Sequence, residues 1–565
     1  MIPAIWCRDA EIWSAGTPPF FFRRTSPTMA NQNNYPEARP INSLVTPLLT
    51  DLYQITMAYA YWKVGRHEEE AVFDLFFRKN PFKGEFTVFA GLEEVLGFLN
   101  SFKFDETDIA YLQSVLPNTT EPGFFQWLRT LDCTHVKVYA LKEGTIAFPR
   151  IPVVRVEGHL GIAQLLETGL LNLMNFASLM ATNATRFKKA AGKGKTLLEF
   201  GLRRAQGPDG GISASRYSYM AGFDGTSNVL AGKLFGIPIK GTHAHAFVQA
   251  HRDLNDVKVT HVGNHDLKAL TLQYRQKLGF QDTNDGELAG FISYAVAFPH
   301  TFLALVDTYD TLASGVPNFL CVALALHELG YKPLGIRLDS GDLAYLSKEA
   351  RRMFIKTAEE FGIESFKKFT ITASNDINEA VLNSLNEQGH EIDAYGIGTN
   401  LVTCQAQPAL GMVYKLVQIA NQPRIKLSQE PSKVTIPGRK KAFRLIGANG
   451  SPILDILMGA DEVDPVAGEK MLCRHPFDEM VRVNVTPSAV VPLHSLVWDG
   501  QAGGIVGYMP KLEETRDYVK EQVATMREDI MRPLNATPYK VSVTKTLYEF
   551  THALWEKEFP VRDLH

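Results

Sequence analysis

Cysteine is scarce in this 565-residue chain: Cys7, Cys133, Cys321, Cys404 and Cys473 stand far apart, with no Cys-x-x-Cys pair. That spacing excludes a disulfide framework and a cysteine zinc site, and it fits a reducing compartment, the cytosol. A charge excess is also missing. Lys and Arg number 58 against 61 Asp and Glu, a net charge of -3. No general electrostatic grip on nucleic acid or acidic membranes is therefore available, and any phosphate must be held locally. No uncharged apolar run reaches about 18 residues, so no membrane span is expected. There is no repeat with a period of about 20 to 50 residues and no low-complexity tract. With 45% hydrophobic and 21% charged residues, what remains is an ordinary globular chain, long enough for several domains.

Four segments are expected. Residues 1–40 mix Pro, Ser, Asn and aromatics without a period and read as a disordered tail, in which Asp9 and Glu11 speak against a transit peptide. Residues 41–170 read as an α/β domain, with a helix near Asp51 to Lys63, a strand near Ala71 to Phe77 and a β-rich passage from His135 to Val156. Residues 171–421 alternate short apolar runs with helices. The runs are Thr196 to Phe200, Ile237 to Lys240, Phe302 to Asp307, Leu334 to Leu338, Phe369 to Thr372 and Ile392 to Ile397. Parallel neighbours need long crossovers, so this series predicts an α/β barrel whose site lies at the carboxyl ends of its strands. Residues 422–565 lose the alternation and read as a C-terminal module packing partly on the N-terminal domain.

The strand ends carry the chemistry. Leu334 to Leu338 runs into Asp339-Ser340-Gly341-Asp342: the aspartates suit a ribose diol, and Ser340 with the helix-start amides suits a phosphate. An ordinary helix cap explains the same residue types. Ser374-Asn375-Asp376 repeats the design with Ser374 as cap. Gly396-Ile397-Gly398-Thr399 has the bare backbone of a phosphate loop or of a plain tight turn. Arg203 and Arg204 follow a strand, where a guanidinium fork suits a carboxylate or pyrophosphate, or is simply solvated. Gly241-Thr242-His243-Ala244-His245 offers two histidines two residues apart, open to a role as metal ligands, base, phosphate acceptor or satisfied structural rings.

Taken in order, Leu49 to Gln54, Glu199 to Gln206, Phe223 to Asn228, Gly241 to His245, Arg337 to Asp342 and Gly396 to Thr403 resemble nicotinate phosphoribosyltransferase over about residues 44 to 450. The resemblance implies an irregular parallel α/β barrel with an additional α/β domain built from both chain ends, assembled as a head-to-tail homodimer with shared active sites. It implies transfer of the phosphoribosyl group from phosphoribosyl pyrophosphate to nicotinate, giving nicotinate mononucleotide and pyrophosphate for NAD salvage, with Mg²⁺ or Mn²⁺ and with ATP as coupled co-substrate. By resemblance His245 is the transiently phosphorylated histidine, and His243 is an extra imidazole beside it. Tyr53 stacks on the pyridine from the neighbouring subunit. Thr242, Arg337 and Thr399 line the substrate site. Asp339 holds the ribose, Ser374 and Asn375 lie near the sugar, Gly398 with Thr399 binds the 5-phosphate, and Arg203 and Arg204 contact an anion. No metal ligand is assigned.

The resemblance also bears on which acceptor is used. Nicotinamide-using relatives place an aspartate where this chain has Ser227. An aspartate accepts from a carboxamide and repels a carboxylate, so serine favours the acid. The competing readings are a nicotinamide or quinolinate phosphoribosyltransferase on a related barrel, and a catalytically silent nucleotide-binding relative.

Overall fold

The computed structural model describes residues 39–430 and 433–559. The expectation of a disordered tail over residues 1–40 therefore falls almost wholly outside the described residues. Three sheets organise the rest. The first is a seven-stranded antiparallel sheet in the order Gln422–Pro423, Met412–Ile419, Glu70–Phe77, Val154–His159, Val136–Leu141, His494–Asp499 and Gly504–Ile505. Its strands come from three separate stretches of chain, so early and late segments share one core. Glu70–Phe77 is an interior strand, flanked by Met412–Ile419 and Val154–His159, and every residue after Glu70 is buried. Asp74 is buried among them and is neutralised by Lys440, whose Nζ lies 2.8 Å away. A mixed six-stranded sheet, drawn wholly from residues 440–544, forms the C-terminal layer.

The parallel series positions the site. Its strands run in the order Leu303–Leu305, Gly335–Leu338, Thr370–Ala373, Ala394–Ile397, Thr196–Glu199 and Gly225–Thr226. The two-residue strand Gly225–Thr226 was not expected, being too short to show a period. Conversely, the expected strand at Ile237 to Lys240 contributes one bridge, Ile239 to Thr226. Pro238 lacks the N–H that a ladder needs, which limits the pairing there. The barrel ladder consequently does not close. Leu305 N, on the edge strand, instead donates 3.3 Å to Nε2 of His243, so an imidazole spans the seam.

Local chemistry explains the connections. Gly335 has φ +154, and a Cβ there would meet Thr370 O at 1.9 Å, so only glycine lets these two strands pair. The helix Leu343–Phe361 starts at Asp342, whose carboxylate accepts from Tyr345 N at 2.9 Å, and it stops at the left-handed Gly362. Between the antiparallel and parallel sheets the chain forms two consecutive helices, Leu160–Leu165 and Glu167–Ala191. The C-terminal module adds the helix Leu512–Thr525. No described helix is long and apolar enough to cross a membrane.

Candidate active site

The carboxyl ends of the parallel strands bring together residues more than a hundred positions apart. After Leu303–Leu305 the chain reaches Asp307, whose side chain is 2% exposed. Its Oδ2 accepts from Asp339 N at 3.0 Å and from the Ser340 hydroxyl at 2.5 Å. Asp307 therefore clamps the turn that follows Gly335–Leu338. Oδ1 of Asp307 is buried without a hydrogen-bond partner. Asp339 is fixed from its other side, where the buried Ser374 hydroxyl donates to Oδ1.

His245 opens a one-turn helix, His245–Gln249, and faces this pair. Its Nδ1 lies 3.1 Å from Thr308 Oγ1, leaving Nε2 at 3.6 Å from Asp339 Oδ2 and 3.9 Å from Asp307 Oδ1. The ring is 39% exposed, within reach of a ligand. His243 has a different environment. It is packed against Phe247, Phe291 and Tyr294, and burial, aided by the charge of Arg337, pushes its pKa down to about 4. A ring that accepts from Leu305 N and stays neutral is structural.

Arg337 occupies the floor between them. Nη2 donates to His243 O at 3.3 Å, and its buried Nε has no partner. Burial lowers its pKa against the opposing pull of Asp339 and Asp307. A desolvated, partly unsatisfied guanidinium is a ready receiver for a carboxylate. Arg204 Nη1 donates to Thr399 Oγ1 at 3.3 Å, joining the turn after Thr196–Glu199 to the loop after Ala394–Ile397. Thr242 is half-buried beside His243. Arg203 is exposed, close enough to Arg337 for the two charges to repel. Gly398 and Thr399 are half-buried at the start of the short helix Thr399–Val402.

Some expected roles are corrected. Ser374 caps no helix: the helix that follows is Glu379–Gln388, capped by Asn378, and the Ser374 hydroxyl is spent on Asp339. Asp342 caps its helix through Oδ1. Asn375 is exposed with φ +98 and Asp376 has φ +41. Two consecutive non-glycine residues in that region mark a strained loop at the mouth. Tyr53 is not gathered with the others in this chain. It stands 47% exposed on the helix Leu52–Lys63, where burial and the neighbouring Glu167 raise its pKa.

Sequence reasoning missed Asp307 as a site residue. Its only signal is a lone charge directly after the apolar run Phe302 to Val306. Also missed was the layer behind it, where Glu287 accepts from Ser314 Oγ at 2.6 Å and Asn318 Nδ2 at 3.1 Å. Burial pushes the Glu287 pKa up to about 7.

Among the described residues no group of three or more His, Cys, Asp or Glu could cage a metal. The paired carboxylates Asp307 and Asp339, one with an unsatisfied buried oxygen, fit a hard divalent cation that takes its remaining ligands from water and substrate phosphates. That is the usual habit of Mg²⁺.

Comparison with known proteins agrees in kind. Residues 48–175 match the nicotinate phosphoribosyltransferase (NAPRTase) N-terminal domain, and residues 439–551 match the nicotinate phosphoribosyltransferase C-terminal domain. Nicotinate phosphoribosyltransferase 2 of Arabidopsis thaliana is 55% identical over 540 residues, covering 93% of this chain and 97% of its own. The Homo sapiens nicotinate phosphoribosyltransferase is 44% identical over 538 residues, covering 93% and 99%. The crystal structure of human nicotinic acid phosphoribosyltransferase superposes with a TM-score of 0.80 at 43% identity, over 89% of this chain and 99% of that one. The nicotinate-nucleotide pyrophosphorylase from Pyrococcus furiosus, at 22% identity and TM-score 0.57 over 88% and 99%, shares the fold.

Proposed function

This chain belongs to the nicotinate phosphoribosyltransferase family, and on that premise we propose that it transfers the phosphoribosyl group of phosphoribosyl pyrophosphate to nicotinate, coupled to ATP. The products are nicotinate mononucleotide, for NAD salvage, and pyrophosphate. The observation that carries the reading is the convergence of His245, Asp307 and Asp339 within 4 Å at the carboxyl ends of the parallel strands, with Arg337 beneath them.

In the reaction the anomeric C–O bond breaks, positive charge grows on the sugar, and pyrophosphate leaves with the bonding pair. The nicotinate nitrogen attacks the same carbon. Asp339, held rigid by Ser374 and by the clamp of Asp307 on its backbone, fixes the ribose hydroxyls and stabilises the cationic sugar. Gly398 and Thr399, with Arg204 attached to the threonine hydroxyl, hold the 5-phosphate. Arg337 receives the nicotinate carboxylate through its planar fork, while Ser227, exposed after Gly225–Thr226, sets no negative charge against it. Asp307 and Asp339 would hold Mg²⁺, which when bound neutralises the departing pyrophosphate. Preorganised charges of this kind are worth roughly 10² to 10³ each in rate.

The ATP coupling runs through His245. Thr308 orients the ring so that Nε2 faces Asp339; transfer of the ATP γ-phosphoryl there, with ADP leaving and water later releasing phosphate, adds about two negative charges and new acceptor oxygens next to the arginines. Tyr53 reaches the pyridine ring across a homodimer interface, so that each mouth is completed by the neighbouring subunit. Its exposure on a helix remote in sequence from the barrel loops supports that arrangement.

Mass spectrometry of products formed from nicotinate, nicotinamide and quinolinate, each with phosphoribosyl pyrophosphate and Mg²⁺, with and without ATP, tests the proposal. Nicotinate mononucleotide is expected from the first acceptor and is stimulated by ATP. Comparable turnover of nicotinamide or quinolinate, or no turnover at all, would overturn the reading.

A further inference from the structure

A cavity of about 590 Å³ opens between the loop at Pro149 and Arg150 and the C-terminal sheet, where residues 473–483 and 537–542 form its far wall. None of the barrel-mouth residues lines it. Its walls carry Arg78, Arg150, Arg482 and Lys540 against one carboxylate, Glu85. Among the described residues none of these four cations forms an ion pair. Burial raises the pKa of Glu85, which weakens the single opposing charge, and burial lowers the pKa of both Arg78 and Arg150.

Two features of the wall, one strained and one unsatisfied, point to a missing ligand. The first is the backbone of Arg150. Its φ of +73 is a conformation that a long side chain adopts only at a cost and that glycine adopts freely. Such strain persists where the side chain is required.

The second is the contact between Arg150 and His475. Nδ1 of His475 accepts from two backbone amides, Phe477 N at 3.2 Å and Asp478 N at 2.9 Å. A neutral imidazole with that nitrogen accepting carries its proton on Nε2. Nη1 of Arg150 lies 3.0 Å from Nε2, and a guanidinium can only donate. Two N–H donors therefore abut with no acceptor between them. Protonating Nδ1 instead would turn the ring against two backbone donors. Either tautomer leaves a conflict that an acceptor between the two groups removes.

We propose that this cavity is a second anion site, which takes a phosphate group, free or carried on a small phosphorylated metabolite, with its oxygens accepting from both Arg150 and His475. Arg482 and Lys540 supply the remaining charge. Phosphate suits the donors because several acceptor oxygens on one centre meet a fork and an imidazole N–H together. The apolar walls at Pro149, Val481, Val483 and Pro538 leave room for a ligand larger than phosphate alone. The site is independent of the barrel mouth and of the reaction proposed there.

Equilibrium dialysis of the full chain against radiolabelled inorganic phosphate tests this. Arg150→Gly removes the donor and relaxes the backbone, so the variant is expected to fold at least as well as the native chain. Its phosphate affinity at one site per chain should fall about tenfold or more, with the basal rate of nucleotide synthesis unchanged. Arg482→Ala should weaken the same site, and Arg150→Lys should bind between the two extremes. Competition with adenosine monophosphate separates the sources. Displacement at lower concentration than unlabelled phosphate identifies a phosphorylated metabolite, and its failure identifies inorganic phosphate. Native-like phosphate binding in Arg150→Gly overturns the proposal. So does a basal rate that falls together with phosphate binding, since the cavity would then belong to the reaction site.

Discussion

Nε2 of His245 lies 3.6 Å from Oδ2 of Asp339, so the residue assigned to ATP coupling and the residue assigned to the ribose share one electrostatic environment. A phosphoryl group on that nitrogen would crowd negative charge against Asp339 and draw in Arg337 and Arg203. Under the proposed function the coupling would be direct. Replacing His245 by Ala should abolish ATP stimulation while leaving slow ATP-independent synthesis, as read from initial rates with and without ATP. Full stimulation in the variant would remove His245 from that role.

Asp307 has two tasks under the proposed function, clamping a turn and holding Mg²⁺. It clamps Asp339 N and the Ser340 hydroxyl, and its second oxygen is buried without a partner. Asp307→Asn keeps the size and one acceptor but removes the charge. The Mg²⁺ concentration for half-maximal rate should rise roughly 10-fold or more, since disturbing even the groups behind a metal's ligands costs about 10- to 100-fold. An Mg²⁺ titration identical to that of the native enzyme would show that Asp307 serves only the turn.

Arg337→Lys preserves charge but not the planar fork. A charge-assisted pair of this type is worth about 1.5 to 3 kcal/mol, so the nicotinate KM should increase roughly 10- to 100-fold, with a smaller effect on kcat. Steady-state kinetics in nicotinate checks this, and an unchanged KM would take Arg337 out of the acceptor pocket.

Gly335→Ala tests the barrel frame. The added Cβ would sit 1.9 Å from Thr370 O on a backbone with φ +154. The two strands would have to part where they carry Arg337 and Asp339 on one side and Ser374 on the other. Overpacking together with backbone strain should cost on the order of 3 kcal/mol or more, visible as a lower urea midpoint. A midpoint within experimental error of the native value would mean that the strands yield easily.

Much of this site is legible in sequence because each parallel strand ends in a polar turn, and the runs ending at Leu338 and Ile397 announce their loops. The limits are physical. Asp307 looks like any charge after a strand, since its partners lie 32 and 33 positions further on and depend on strand order. Ser374 has the residue type of a cap, but tertiary proximity to Asp339 decides its hydroxyl, and Asn378 takes the cap. Gly225–Thr226 is too short to show a period. The seam at His243 is invisible to pattern reasoning, because a side chain completes there what a ladder normally would. Arg150 carries no sequence signal, since neither its left-handed backbone nor its meeting with His475 follows from neighbours along the chain.

That seam predicts a pH dependence of stability. The pKa of His243 falls from the usual 6.5 to about 4, chiefly through burial and then through Arg337. Burial pushes His494 to about 4 as well, against the carbonyl of Pro152. In the unfolded chain both rings take a proton near pH 6.5, while in the fold they refuse it until about pH 4. The unfolded state thus binds more protons throughout that window, so stability is complete above pH 6.5 and is lost as pH falls toward 4. At 1.36 kcal/mol per pH unit, each ring accounts for on the order of 3 kcal/mol across the window. His243→Gln retains an acceptor for Leu305 N but cannot titrate, so it should lose about half of this acid sensitivity. Urea midpoints measured between pH 7 and pH 4.5 read the slope. If the variant is as acid-sensitive as the native chain, the seam is not held by a neutral imidazole.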